Sequence, residues 1–206
     1  MLKGRNVGTR YSTNKTMENE RKLSGKITLN FGWDAYPRQY SGGLISGLLN
    51  RNDPSVDCDA SAIFCGQNGR LIAKEAAQCC VNYSNLSMFD SAVVHSGDNQ
   101  TGDRLYDEVI TMDLDRIPSS VGVILLALDI FKEKKKVYGK IQHAFLKVKD
   151  ADTGSDIDTN NIVGLGGGTK LVIAGKLCRA GDGWIFKRAL DCHSVDSMSQ
   201  FFTTLP

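Results

Sequence analysis

Long hydrophobic runs are missing from this sequence of 206 residues. A membrane-spanning helix needs about 20 consecutive apolar residues, whereas the longest apolar run, from Val121 to Ile130, is interrupted by Gly122 and Asp129. The N-terminal residues also contain no continuous apolar stretch of the kind that a secretory signal requires. The sequence therefore argues against an integral membrane protein and predicts a cytoplasmic one.

The Cys-x-x-Cys pair that a zinc site usually shows is also missing. Without a secretion signal, the expected state of all six cysteines is the reduced thiol. These cysteines are Cys58, Cys65, Cys79, Cys80, Cys178 and Cys192.

A large excess of one charge sign is absent as well, because the formal net charge is only +2. Residues 1–26 carry seven basic and two acidic side chains, which leaves 18 basic and 21 acidic side chains for the rest. The body is mildly acidic, so the charge pattern does not indicate a nucleic-acid partner. Residues 1–24 are rich in Asn, Thr and Ser and are predicted to be a basic, disordered tail. Residues 25–206 are predicted to form one domain.

Alternating and continuous apolar patterns predict seven to nine strands. Residues 26–33 and 108–114 alternate, residues 122–131 form a run expected of a strand buried on both sides, and Ala180-Gly-Asp-Gly183 predicts a hairpin turn. Met198, Phe201, Phe202 and Leu205 recur with helical spacing after Ser194, the predicted N-cap. Strands without regular βαβ alternation favour an all-β, antiparallel β-sandwich with long acidic loops and a short C-terminal helix.

The segment from Gly97 to Arg116 carries six acidic residues and only two basic ones. Crowded carboxylates repel each other unless a cation lies among them, and Asn99 and Thr101 add neutral oxygens. Hard oxygen donors on a flexible loop are the ligands that Ca²⁺ prefers. Asp57 and Asp59 open another strand with both carboxylates on one side, where they can complete a cage. The alternative is a solvated acidic turn without an ion.

Three other patterns are weak. Asp150 to Asp158 is similar to a calcium loop but lacks Gly at the sixth position and Glu at the twelfth, so a turn is predicted. Gly164 to Lys170 is similar to a phosphate loop but leads into a strand. The three histidines and many serines lack the local signature of a catalytic triad.

Several motifs in a fixed order resemble those of the TerD family, the tellurium-resistance and stress-response proteins of bacteria. The resemblance covers roughly residues 25–206, and Gly-Asp-Asn-x-Thr-Gly joined to the downstream Asp-Glu is its most specific element. The motifs are Gly32-Trp33-Asp34, Asp57-x-Asp59-Ala60-Ser61-Ala62, His95-Ser96-Gly97-Asp98-Asn99-x-Thr101-Gly102, Asp107-Glu108-Val109-Ile110 and Ala144-Phe145. Tyr106 stands where the family commonly has a further Asp.

The resemblance implies a β-sandwich that binds Ca²⁺ through acidic loops and has no enzymatic activity. It also implies protein partners in a stress-response complex. Such a complex can be associated with the membrane. Carried onto this chain, the implied metal-binding residues are Asp57, Asp59, Asp98, Asn99, Thr101, Asp107 and Glu108, with Gly102 shaping the loop and Asp34 as a further candidate.

Two other functions remain open at this stage. One is a small-ligand binding protein, for example for a cyclic nucleotide, because some relatives are described in that way and Gly166–Gly168 could receive a phosphate. The other is a metal-assisted hydrolase that uses Asp98 and Glu108, although carboxylate-only Ca²⁺ cages seldom provide an activated water beside a base.

Overall fold

The computed structural model describes residues 21–35, 57–75, 78–98, 106–130, 141–165 and 168–206, without the side chains of 34–35 and 141–143. These residues form twelve strands, a short 3₁₀ turn and one helix. In chain order the elements are β1 (Lys22–Leu23), β2 (Lys26–Ala35), β3 (Asp59–Cys65), β4 (Cys80–Val81), β5 (Ser87–Met88), β6 (Val93–His95), β7 (Glu108–Asp113), the 3₁₀ turn (Leu114–Arg116), β8 (Val123–Asp129), β9 (Ile141–Asp150), β10 (Asp156–Ile162), β11 (Leu171–Ala180), β12 (Gly183–His193) and α1 (Met198–Phe202).

The strands form two antiparallel sheets of six strands each. The first sheet has the order β1-β12-β11-β8-β3-β4, and the second has the order β10-β9-β2-β7-β6-β5. Five of the ten neighbouring pairs join strands that are not consecutive in sequence, so long-range pairing holds each sheet together. The predicted antiparallel sandwich with a short C-terminal helix is confirmed.

The main hydrophobic core lies between the sheets. Strand alternation explains its composition, because every second residue of β3 and β8 points inward, for example Phe64 and Leu126. The residues between them, such as Ile63 and Leu125, point to the outer face of the first sheet. There they pack with Phe201 of α1, so β8 is buried on both faces as its apolar run predicts.

The helix begins later than the sequence pattern indicates. Its N-cap is Ser197, whose side chain accepts a hydrogen bond from the Gln200 N–H, and not Ser194. Ser197 lies one residue before the first helical residue, and its hydroxyl can therefore reach an N–H that has no partner within the helix. Within the described ranges, no helix is both long and apolar enough to cross a membrane.

One end of the sandwich brings distant parts of the chain together. The first residue of β3 pairs with the last residue of β8, since Asp59 and Asp129 are opposite each other in register. On the second sheet, β7 begins at the same end with Glu108, which is opposite Phe31 of β2. β6 also runs towards this end, which therefore collects the starts of β3 and β7 and the ends of β6 and β8.

Candidate metal centre

Three carboxylates converge at this end of the sandwich. One oxygen from each of Asp57, Asp59 and Asp98 lies within 4.8 Å of the other two. Asp59 is buried, with 2% of its surface exposed, Asp57 is partly buried and Asp98 is exposed. The group is therefore open to solvent on one side and backed by protein on the other.

Two separate parts of the chain deliver these side chains. Asp57 and Asp59 lie two residues apart where the extended chain enters β3, and this spacing puts both carboxylates on one side. Asp98 comes from the loop that leaves β6. The residue before it, Gly97, has a φ of 98°, a conformation that only glycine adopts at low cost.

Glu108 lies beside this group but bonds to the backbone of the other sheet. Its side chain is fully buried, and Oε2 accepts a hydrogen bond of 2.6 Å from the Ala60 N–H. The N–H of Phe64 donates to the Cys79 carbonyl on the β4 side of β3. N–H groups four residues apart in a strand point to the same side, so the Ala60 N–H also points to the β4 side. β4 is too short to reach Ala60, since it pairs only with Ala62 and Ile63, and Glu108 supplies the missing acceptor.

His95 is a further buried ionisable group at this point. Its side chain is fully buried, and Nε2 lies 3.3 Å from Glu108 Oε2, although the contact is not aligned as a hydrogen bond. The opposite ring nitrogen, Nδ1, accepts a hydrogen bond of 3.0 Å from the Gly97 N–H. An acceptor at Nδ1 requires the proton of the neutral ring to be on Nε2, the nitrogen nearer the carboxylate.

Asp107 has a similar backbone role on the second sheet. Its Oδ2 accepts a hydrogen bond of 2.9 Å from the Trp33 N–H, and its own N–H donates to the Phe31 carbonyl at 2.8 Å. With 3% of its surface exposed, Asp107 fastens the start of β7 to the end of β2.

Cys58 lies between the two strand carboxylates in sequence but points into the core. Burial raises the pKa of its thiol well above the ordinary value, and neighbouring negative charges raise it further. These charges belong to Asp129, Asp57, Asp59 and Glu108. The thiol therefore stays protonated at neutral pH and is a poor metal ligand, because coordination requires the thiolate.

The predicted metal-binding residues divide into three sets. Asp57, Asp59 and Asp98 are brought together. Asp107 and Glu108 lie outside that group of three, with one oxygen of each bound to a backbone N–H, and their role as ligands stays a prediction. Asn99, Thr101 and Gly102 lie outside the described residues, as does the side chain of Asp34.

The other sequence patterns have simpler structural explanations or fall in gaps. Asp150 Oδ1 accepts bonds from Thr153 and from the Asp152 N–H, which confirms the predicted turn, and these bonds lower the pKa of its carboxyl group. The chain then enters β10 at Asp156, a strand that the sequence pattern did not indicate. The small-ligand alternative rests on Gly166–Gly168, of which Gly166 and Gly167 lie outside the described residues.

Sequence reasoning missed two residues of this region. Asp129 is 3% exposed and lies directly opposite Asp59. The sequence signal that could have identified it is a charged residue at the end of an otherwise apolar strand. The position of His95 against Glu108 had no sequence signal, because the loop between β6 and β7 separates them.

Comparison with known proteins agrees with this architecture. The TerD domain matches residues 10–192, so the chain belongs to the TerD family. It is 32% identical over 164 residues to the stress response protein SCP2 of Bacillus subtilis (strain 168), covering 78% of this chain and 79% of that protein. It is 31% identical over 176 residues to the tellurium resistance protein TerZ of Serratia marcescens, covering 84% of each.

The fold is shared with a solved structure. The crystal structure of a homologue of telluride resistance protein TerD from Streptomyces coelicolor A3(2) superposes with a TM-score of 0.64 at 17% sequence identity. The match covers 84% of this chain and 93% of that one. At this identity the likeness concerns the fold alone.

Proposed function

We propose that this protein is a non-enzymatic, calcium-binding stress-response protein of the tellurium-resistance type. The observation that carries the proposal is the convergence of Asp57, Asp59 and Asp98 from two separate parts of the chain. The names of the relatives support the stress-response part, since they describe a stress response protein and a tellurium resistance protein.

The donor set fits a calcium ion. Two oxygens bound to one Ca²⁺ lie at most about 4.6–5.2 Å apart, twice the metal–oxygen distance. The mutual distances of up to 4.8 Å between the three carboxylate oxygens lie within that limit. Carboxylates are hard donors that suit Ca²⁺, and the exposed side of the group leaves room for the water or carbonyl oxygens that complete 6–8 ligands.

Calcium would act on this chain by tying two elements together. Asp57 and Asp59 belong to the start of β3 in the first sheet, whereas Asp98 follows β6 in the second. A cation between them removes the repulsion among three negative charges. Because the unfolded chain has no such site, the ion stabilises the folded state by RT ln(1 + [Ca²⁺]/Kd).

The ordered end of the sandwich would present a surface to a protein partner. Three exposed apolar side chains lie near it: Tyr83, Leu86 and Val94, with 40%, 46% and 39% of their surface exposed. The carbonyl of Leu86 accepts the N–H of His95, which joins this surface to the strand that leads to Asp98. Partner binding that requires calcium should be weakened by Leu86→Glu and not by Leu190→Glu, an equally exposed control on β12.

Calorimetry and thermal melting test calcium binding. We expect the wild-type protein to give a binding heat with Ca²⁺ and a higher melting temperature than the chelator-treated protein. Asp59→Asn and Asp98→Asn should lose both effects, whereas Asp152→Asn, an exposed acidic residue in the β9–β10 turn, should keep them. A wild-type protein with no calcium heat and an unchanged melt would contradict the proposal.

A further inference from the structure

A line of contacts joins the two halves of the acidic group from inside the sandwich. It runs from the Gly97 N–H through the His95 ring and the Glu108 carboxylate to the Ala60 N–H, and we call it the His95 bridge. The distances are 3.0 Å from Gly97 N to Nδ1, 3.3 Å from Nε2 to Oε2, and 2.6 Å from Oε2 to Ala60 N.

We propose that His95 is a positioning residue that sets the place of Asp98 relative to Asp57 and Asp59. This inference rests on the proposed calcium binding at these three carboxylates. Each end of the His95 bridge stops one residue from a member of the group, because Gly97 precedes Asp98 and Ala60 follows Asp59. A shift of the imidazole ring therefore moves the carboxylates of one half relative to the other.

The ring has one orientation that satisfies these contacts. Gly97 needs an acceptor, and Nδ1 supplies it only while the ring proton is on Nε2. Rotating the ring by 180° would place a C–H group against the Gly97 N–H, and the full burial of the side chain leaves no solvent to replace the lost bond. Orientation and tautomer are thus linked.

Gly97 sets the direction in which the chain continues from β6 to Asp98. With a φ of 98°, Gly97 turns the chain sharply as it leaves β6. Its N–H is fixed on His95, so the turn starts from a defined point and delivers Asp98 beside β3. The other end is equally fixed, because the Ala60 N–H is bound by Glu108 across the gap between the two sheets.

Groups that hold metal-binding residues in place, without contacting the ion themselves, also affect the affinity for the metal. Replacing such a group typically weakens metal binding about 10- to 100-fold, since the ligands must be held close to the required geometry. His95 contacts the backbone beside one ligand and, through Glu108, the backbone beside another. Its replacement should therefore change calcium affinity even where the fold is kept.

Two substitutions separate the halves of the His95 bridge. In His95→Asn the side-chain oxygen can take the place of Nδ1 and accept the Gly97 N–H. In His95→Gln the amide nitrogen can take the place of Nε2 and face Glu108, but no acceptor remains for Gly97. The readouts are the calcium Kd from calorimetry and the melting temperature in chelator.

We expect both variants to lose similar stability in chelator, while only His95→Gln binds Ca²⁺ about 10- to 100-fold more weakly than the wild type. Equal calcium affinities for the wild type and both variants would overturn the positioning role. The role would also be overturned if both variants bound Ca²⁺ equally weakly, with losses of affinity that follow their losses in melting temperature. Absence of calcium heat in the wild type would instead refute the proposed function, which keeps the two failures distinct.

Nuclear magnetic resonance of the metal-free wild type provides a measurement that needs no variant. We expect the ring nitrogens of His95 to show a proton on Nε2 and none on Nδ1, and the Gly97 amide proton to exchange slowly before calcium is added. The opposite tautomer, or rapid exchange at Gly97, would overturn the inference even if a variant fails to fold.

Discussion

Asn160 of the second sheet donates a hydrogen bond of 2.8 Å to the carbonyl of Ala189 in the first sheet. The same amide nitrogen donates to the Ala174 carbonyl at 2.6 Å. Both carbonyls lie where the register of β11 and β12 shifts between Ile173 and Gly175. A bulge leaves ladder groups without strand partners, and here a side chain from the facing sheet satisfies them.

Asn160→Ala should therefore lower the free energy of unfolding by about 2–3 kcal/mol, because two carbonyls lose their donor. Asn160→Asp should cost at least as much at neutral pH, since a carboxylate replaces the donor. The matched control is Asn161→Ala on the exposed side of the same strand, expected to change stability by about 0.5 kcal/mol or less. Urea denaturation measures all three, and similar losses at 160 and 161 would refute the role of Asn160.

Buried thiols predict a loss of stability at alkaline pH. Burial raises the pKa of Cys65 to about 11 and that of Cys80 to about 12, from an ordinary value of 9.0. The folded state then holds protons that the unfolded state releases. The contribution of these two thiols to stability should be constant below about pH 8 and fall as the pH rises above 9, by about 1.4 kcal/mol per pH unit for each thiol.

Denaturation curves between pH 7 and pH 10.5 test this dependence. Cys65→Ala should reduce the slope of the free energy of unfolding against pH above pH 9. The free energy of unfolding of each protein at pH 7 serves as its own reference. A wild-type stability that stays constant up to pH 10.5, or an unchanged slope in Cys65→Ala, would contradict the prediction.

Gly122 allows two backbone segments to touch before β8. A Cβ atom at this position would lie 2.6 Å from both the Cα and the backbone nitrogen of Gln67. The segments are also bonded, since the Gly122 N–H donates to the Cys65 carbonyl at 2.8 Å. Gly122→Ala should thus lower the free energy of unfolding by about 1–3 kcal/mol, because backbone atoms have to move apart.

Gly66→Ala is the matched control for this substitution. Its added Cβ would meet first the side-chain oxygen of Asn68, at 3.1 Å. Asn68 is exposed, so its side chain can shift with the loss of only one exposed hydrogen bond, from the Arg70 N–H. Thermal melting should show a clear drop for Gly122→Ala and a much smaller one for Gly66→Ala. Equal drops would show that close backbone approach at Gly122 is not the cause.

Arg179 closes the end of the sandwich opposite the acidic group. Its guanidinium donates to the carbonyls of Val121, Ile117 and Pro118 and lies 4.2 Å from the centre of the Trp184 ring. Arg179→Met should cost about 2–3 kcal/mol, because several carbonyls lose donors. Arg179→Lys should recover little of this loss, since one ammonium group cannot replace the planar fork.

Arg188→Met provides the comparison for Arg179, because Arg188 is an exposed arginine that pairs with Asp158. Exposed ion pairs contribute about 0–1 kcal/mol, so its removal should be nearly neutral. Chemical denaturation that ranks Arg188→Met as the more harmful change would rule out the proposed role of Arg179.

The long strands other than β10 followed directly from the sequence because their side chains obey a local rule. β2 and β7 alternate, β8 is apolar on both faces, and β11 and β12 flank a two-residue turn at Gly181 and Asp182. Short strands such as β4 and β5 have only two residues each, too few to show a period. They exist because longer neighbours offer them backbone partners, which no local pattern encodes.

By itself, the sequence determined the sandwich class and the positions of most long strands. It also gave Asp57, Asp59 and Asp98 as candidate ligands, which oxygen chemistry and the family resemblance both favour. Only the tertiary structure decided that these three meet while Glu108 and Asp107 hold backbone N–H groups. It also placed His95 behind the group and Asn160 on the bulge of the facing sheet. The reason is physical: alternation along a strand is local, whereas the partner of a buried polar group depends on which distant backbone the fold leaves unpaired.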